Sequence, residues 1–172
     1  MANLNERLYE KLYNRRAPDY VKDYTLLQLA MKPIRKWLVN TVAANCPFNG
    51  IRVRICRMCG FKIGKHVSLG MKCYLDDHCY DLMEIGDNVT ISYGVFFACH
   101  GANQPHAPIK VCEGAYIGMR ASIVSNNRDK TRQGVIIGEK SIVGACTLVN
   151  CDVPDGATAV GIPCKIIQKE SE

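Results

Sequence analysis

No stretch of the chain approaches the roughly 18 consecutive apolar residues that a membrane-spanning helix needs. The start, Met-Ala-Asn-Leu-Asn-Glu-Arg, has no apolar run behind a basic beginning, so no secretory leader is expected there. Cys56-Arg-Met-Cys59 has no second Cys-x-x-Cys to complete it. A structural zinc site normally draws four ligands from two close pairs, so none is expected. There is no Gly-x-Ser-x-Gly elbow either. Cys99 adjoins His100, but neighbours at a turn rarely face each other as a nucleophile and its base must. What remains is a chain with ten cysteines, expected to be reduced thiols in a cytoplasmic protein.

At 172 residues there is room for one domain and an extension, and 48% hydrophobic with 22% charged residues is ordinary for a globular protein. The net charge of +6 is unevenly placed: residues 1–65 hold 13 Lys+Arg against 4 Asp+Glu. A basic front end suits a solvated face, an anionic surface or an acidic ligand; no nucleic-acid partner is expected. Leu4, Leu8, Tyr9 and Leu12 predict a helix over 3–15. From 20 to 44, Leu27, Ala30, Met31, Ile34, Trp37, Leu38 and Val42 keep helical spacing, with Pro33 expected to kink or split the helix. Pro47-Phe48-Asn49-Gly50 reads as a turn, and the alternation from Ile51 to Ile55 as an edge strand.

Beyond residue 60 a six-residue rhythm takes over. Aliphatic residues followed by small or acidic ones recur at Ile63, Leu69 and Leu75, at Ile85, Ile91 and Phe97, at Val111, Ile117 and Ile123, and at Ile137, Val143 and Val149. A fixed short period marks a solenoid, whose units bury an apolar face only by stacking. Three hexads make a coil, and coil starts lie 22, 26 and 26 residues apart. The additional four, eight and eight residues all fall between a third hexad and the next first one. Three insertions therefore share one corner of a three-sided prism. First and fifth positions should point inward. The fifth positions are slender: Val67, Cys73, Cys79, Val89, Val95, Ala115, Ala121, Ser141, Thr147 and Val153, with Gly101 and Asn127 the exceptions beside inserted loops. Several cysteines are thus expected as small core residues.

Ile85-Gly-Asp-Asn-Val-Thr-Ile91, Tyr116-Ile-Gly-Met-Arg-Ala-Ser-Ile-Val124, Ile137-Gly-Glu-Lys-Ser-Ile-Val-Gly-Ala145 and the tail from Val153-Pro154 to Lys165 resemble the hexapeptide-repeat acyltransferases. The closest branch in pattern is the maltose and galactoside O-acetyltransferases with related cell-surface sugar acetyltransferases. The resemblance covers about 60–172 and implies a mainly β fold: a left-handed parallel β-helix of about four to five coils, N-terminal α-helices and a short C-terminal tail. The chain divides into a helical extension or cap at 1–50, the β-helix at 51–160 and the tail at 161–172. Right-handed crossovers are the general rule for parallel strands, so the hand comes from the resemblance alone.

The resemblance further implies a homotrimer, with acetyl-CoA as co-substrate, no required metal and a saccharide acceptor. His100, at the corner where the second insertion starts, would be the general base at a subunit interface. A sugar hydroxyl attacks a thioester poorly until its proton is taken, and an imidazole can take it. Asp76, Asp77, His78 and Glu84 are candidates for acceptor binding, an acid from this neighbourhood being equally suited to orient the base. Leu75-Asp76-Asp77 stands where the sugar-acetyltransferase pattern carries an Asn-containing stretch. Tyr116, Gly118, Met119, Ala145, Asn150 and Lys165 fall at cofactor positions, with Gly118 admitting close approach of the pantetheine amides. Two other readings share the fold. A gamma-type carbonic anhydrase would use His78, His100 and His106 for zinc, though their spacing does not match that family's closer pair. A non-catalytic scaffold would bind no acyl-CoA. The N-terminal helices have two uses: capping the open end of the prism, or peripheral contact with anionic lipid through Lys32, Arg35, Lys36 and Trp37.

Overall fold

The computed structural model describes residues 4–14, 16–17, 26–100, 106–129, 131 and 133–168. Helices α1 (Leu4–Tyr13) and α2 (Leu26–Trp37) lead into a π-helical segment (Leu38–Ala43) and then α3 (Asn49–Met58). Among the described residues thirteen short strands follow. β1 (Lys62–Ile63), β3 (Met83–Ile85), β6 (Ile109–Val111) and β9 (Val135–Ile137) form one sheet in that order. β2 (Ser68–Leu69), β4 (Thr90–Ile91), β7 (Tyr116–Ile117), β10 (Ile142–Val143) and β12 (Thr158–Val160) form the second, closed by antiparallel β13 (Lys165–Ile167). β5 (Phe96–Ala98), β8 (Ser122–Val124) and β11 (Leu148–Val149) form the third, with Tyr74 bridging to Phe96 beneath them. This is a three-sided parallel β-helix of four coils, with a fifth begun by the Val153 bridge and β12.

Register follows the hexad. Ile63 pairs Ile85, Ile91 pairs Ile117, and Phe97 pairs Ile123, so first positions stack on first positions. Every fifth-position residue named above is buried, apart from Gly101, which lies outside the described residues. Asn127, the polar exception, is buried with them: its Nδ2 donates to the Gly134 carbonyl at 2.9 Å and to Asp152 Oδ1 at 3.1 Å, anchoring the third insertion.

The corners separate into two kinds. At the two regular ones the fourth residue of each hexad takes a left-handed conformation: His66, Lys72, Asn88, Arg120, Lys140 and Cys146, with Gly94, Gly114 and Gly156 in the remaining places. At the insertion corner the fourth residues are His78, His100, Asn126 and Asp152, and none has positive φ. The tight turn is released where the loops leave.

The cap differs from expectation in two respects. Residues 51–55 are helical, inside α3, and not an edge strand. The alternation Ile51-Arg52-Val53-Arg54-Ile55 satisfies a period of two, but Asn49, Arg52, Val53 and Cys56 also satisfy the helical spacing, and tertiary contacts select the helix. Of the two outcomes expected of Pro33, a split does not occur, since α2 runs through it; the departure from α geometry comes later, at Leu38.

Those tertiary contacts close the exposed strand edges of coil one, which would otherwise present unpaired backbone groups. On the first sheet Arg57 donates to the carbonyls of Ile63, at 3.0 Å, and Gly64. On the second, Leu69 N–H donates to Asn49 Oδ1 at 2.9 Å, Asn49 Nδ2 donates to the Val67 carbonyl at 2.9 Å, and Arg52 Nε donates to the Leu69 carbonyl at 2.7 Å. On the third, Asn40 of the π segment receives Leu75 N–H and donates to the Leu75 carbonyl, both at 3.1 Å. Val39, Ala43, Val53, Cys56, Cys59 and Phe61 continue the apolar core beneath coil one. Arg52 and Arg57 of α3 thus serve the prism as caps. Helix α2 keeps Leu27, Met31, Ile34 and Trp37 exposed. Among the described residues no helix is long and apolar enough to cross a membrane.

Candidate active site

Coil one and coil two meet at the insertion corner around Asp76. This residue is fully buried, and hydrogen bonds replace the water it has lost. Its Oδ1 accepts from the His78 N–H at 3.2 Å, and its Oδ2 accepts from the Cys99 N–H at 2.8 Å. Oδ2 also lies 2.5 Å from His100 Nδ1. A carboxylate accepts only, so Nδ1 is the donor in this contact and, in the neutral ring, Nε2 is the nitrogen with the free lone pair. The His100 side chain is 39% exposed, so an imidazole held from behind by a buried acid reaches the surface. Asp76 therefore lies too deep to touch an acceptor, and its carboxylate instead fixes the orientation of the His100 ring.

Asp77 is buried as well, with Oδ1 accepting from Asn40 Nδ2 at 3.1 Å, so Asn40 ties the N-terminal cap to the site. His78 is half-buried, its ring 5.4 Å from that of His100 and nearly perpendicular to it. Burial holds its pKa below the ordinary value; Lys32 and His100 push the same way, against Asp77 and Asp76. It is a neutral hydrogen-bonding group at neutral pH. His106 adds a third ring, 6.0 Å from that of His100. The three imidazoles gather, yet among the described residues the one close set of metal-ligating atoms is Asp76, Cys79 and His100. Glu84 stands apart. It pairs with Lys110 at 3.8 Å and lines a surface pocket of about 290 Å³ with Lys62, Asp81 and Gln133.

The cysteines singled out in the sequence are core groups. Cys99 is fully buried and desolvation, reinforced by Asp76, drives its thiol far up, which disqualifies it as a nucleophile. Cys56 is buried and pushed up to about 12 by desolvation, with Cys59 buried beside it.

No family model matches the chain. Over 116 residues it is 32% identical to a provisionally named acetyltransferase of Staphylococcus aureus, covering 63% of this chain and 54% of that protein. It is 28% identical to the galactoside O-acetyltransferase of Escherichia coli, covering 63% of this chain and 57% of the relative. The crystal structure of a hexapeptide-repeat-containing acetyltransferase from Vibrio cholerae aligns with a TM-score of 0.65 at 20% identity, over 86% of this chain and 95% of that one. In sequence and in fold the chain is similar to the hexapeptide-repeat acetyltransferase family. Its prism is the left-handed β-helix of that family. The chain spans about half the length of the curated relatives it matches.

Against this family's expected cofactor positions, the structure divides the six candidates. Tyr116 and Met119 are exposed, at 44% and 55%, on β7 and the corner after it. Ala145 is exposed in the corresponding turn of coil four, where Cys146 N–H donates to the Met119 carbonyl at 2.9 Å. Lys165 is exposed at the start of β13. Asn150 is already engaged: its Oδ1 accepts from Arg128 Nη2 at 3.1 Å, and the same nitrogen donates to the Cys164 carbonyl at 3.2 Å. Gly118 is buried, and a Cβ there would stand 2.6 Å from the Ala145 nitrogen. Coil stacking by itself demands glycine at 118. Asn40 and Arg128 escaped the sequence reading because each acts across more than 20 residues, with no local pattern to announce it.

Proposed function

We propose that this chain is an acetyl-CoA-dependent O-acetyltransferase that moves an acetyl group to a sugar hydroxyl, with His100 as general base. The observation that carries the reading is the 2.5 Å contact between buried Asp76 and partly exposed His100. Proton and electron accounting is simple. Nε2 of His100 takes the acceptor's hydroxyl proton as its oxygen attacks the thioester carbonyl. The tetrahedral oxyanion collapses, the C–S bond breaks, and the coenzyme A thiolate leaves and recovers the proton from His100. Asp76 holds the tautomer and faces the transient imidazolium, so its charge counts most when the base is protonated. A base in this role contributes on the order of 10²–10⁴-fold. His78, neutral and half-buried beside it, is placed to hydrogen-bond the acceptor.

Acetyl-CoA would lie along coils three and four over Tyr116, Met119 and Ala145, with Lys165 toward the nucleotide phosphates. A neighbouring subunit of a homotrimer would supply the second wall of that groove, in the cytoplasm. The E. coli relative's name, a galactoside O-acetyltransferase, supports a saccharide acceptor. The exposed stripe Leu27, Met31, Ile34 and Trp37, beside Lys36, supports peripheral contact with anionic lipid. Failure to bind phosphatidylserine vesicles at low salt would remove that contact without touching the chemistry. The deciding experiment is a free-thiol assay of coenzyme A release across a saccharide panel, with His100→Ala as control. Turnover of one acceptor, lost in the variant, is the expected result; equal turnover by both proteins overturns the assignment.

A further inference from the structure

The proposed reaction leaves one buried group beside the base unused. Cys79 occupies a fifth position of coil one, is 1% exposed, and its Sγ makes no hydrogen bond among the described residues. Ligand atoms of Asp76, Cys79 and His100 all lie within 4.8 Å of one another. Ligand bonds to zinc of about 2.0–2.3 Å put donor atoms roughly 3.3–3.8 Å apart in a tetrahedral site, so shifts of up to about 1.5 Å, with Asp76 and His100 parting from their 2.5 Å contact, close the set. Carboxylate, thiolate and imidazole together match a borderline-soft cation and not magnesium or calcium, which take oxygen ligands.

We propose that Asp76, Cys79 and His100 form a site for a zinc-class divalent cation that silences acyl transfer by taking the base. The inference rests on the reading of His100 as that base, but binding itself does not. Coordination through Nδ1, the nitrogen facing Asp76, moves the imidazole proton to Nε2. The thiol proton is released to solvent, and the metal–sulfur bond takes its place. With Nε2 protonated, His100 has no lone pair for an acceptor hydroxyl. The fourth position falls to water or to His78, whose ring is 5.4 Å away.

The test uses the full chain, stripped with chelator and titrated with Co²⁺. A thiolate-to-cobalt charge-transfer band at one equivalent per subunit is expected, and Cys79→Val should abolish it. Valine fits the position, since Val67, Val89, Val95 and Val153 fill equivalent places elsewhere in the prism. Zn²⁺ should inhibit transfer in the wild type, and Cys79→Val should need at least tenfold more zinc while keeping basal turnover. Cys79→Ser, retaining size and a weak ligand, guards against a misfolded valine variant. A band that persists in both variants belongs to another of the ten cysteines and overturns the site; so does the absence of any band, or unchanged zinc sensitivity. If no acceptor is ever turned over, the cobalt spectra still decide the site, and the two readings fail separately.

Discussion

Replacing Asp76 with Asn removes one negative charge while keeping nearly every atom in place. The wild-type carboxylate accepts from two backbone N–H groups and from His100 Nδ1. The amide has one accepting oxygen, so its NH₂ must face one of these donors or turn toward the imidazole. Turned toward the imidazole, it donates to Nδ1 and forces the ring proton onto Nε2. The base is then blocked, and the full general-base contribution of about 10²–10⁴-fold is lost, equivalent to about 3–5 kcal/mol of barrier. KM for acetyl-CoA should change little, because Asp76 is buried and touches no cofactor position. Asp76→Ala serves as the stability arm. It orphans two N–H groups at about 1–3 kcal/mol each, which in a chain of this size lowers Tm by roughly 4–24 °C. Initial rates of thiol release and thermal melts on the same preparations separate the two effects. An Asn variant retaining more than a third of wild-type kcat, with His100 essential, would refute the tautomer argument.

Other perturbations test the frame. His100→Ala should reduce turnover by about 10²–10⁴-fold while circular dichroism still reports the β-helix. Asn49→Ala strips Leu69 N–H of its partner at the open edge and should cost about 1–3 kcal/mol in a denaturant titration. Gly118→Ala drives a Cβ to 2.6 Å from the next coil's backbone and should abolish soluble folded protein, whereas Gly50→Ala meets open space and should melt like wild type. Buried thiols set the alkaline limit. Burial raises the pKa of Cys56 and Cys79 to about 12, so their contribution is fully present below the unfolded thiol range and is lost as pH rises toward 12. Tm should fall progressively above about pH 9, and less steeply in Cys56→Ala at matched neutral stability.

The prism was legible because its physics is local. An aliphatic residue every sixth place and a slender one four places on leave few ways to bury both except by stacked coils, and the observed register pairs Ile63 with Ile85 and Ile91 with Ile117 as that spacing requires. The insertion corner was legible for the same reason, since residues added to a periodic chain can be counted. The left-handed conformation at fourth positions such as Lys140 and Cys146 was not, because neither residue type advertises it.

The N-terminal cap marks where the sequence alone stops. Residues 51–55 carry two periodicities at once, and only an unpaired strand edge lying against Asn49, Arg52 and Arg57 makes the helix the better use of them. The site divides along the same line. The sequence by itself placed His100 at the corner and offered four acids and histidines around it. Tertiary structure chose among them: it buried Asp76 behind the imidazole, tied Asp77 to Asn40, left His78 alongside and sent Glu84 to another pocket. Burial and hydrogen bonding across coils decide which carboxylate stands behind the imidazole, and neither is written in any single hexad.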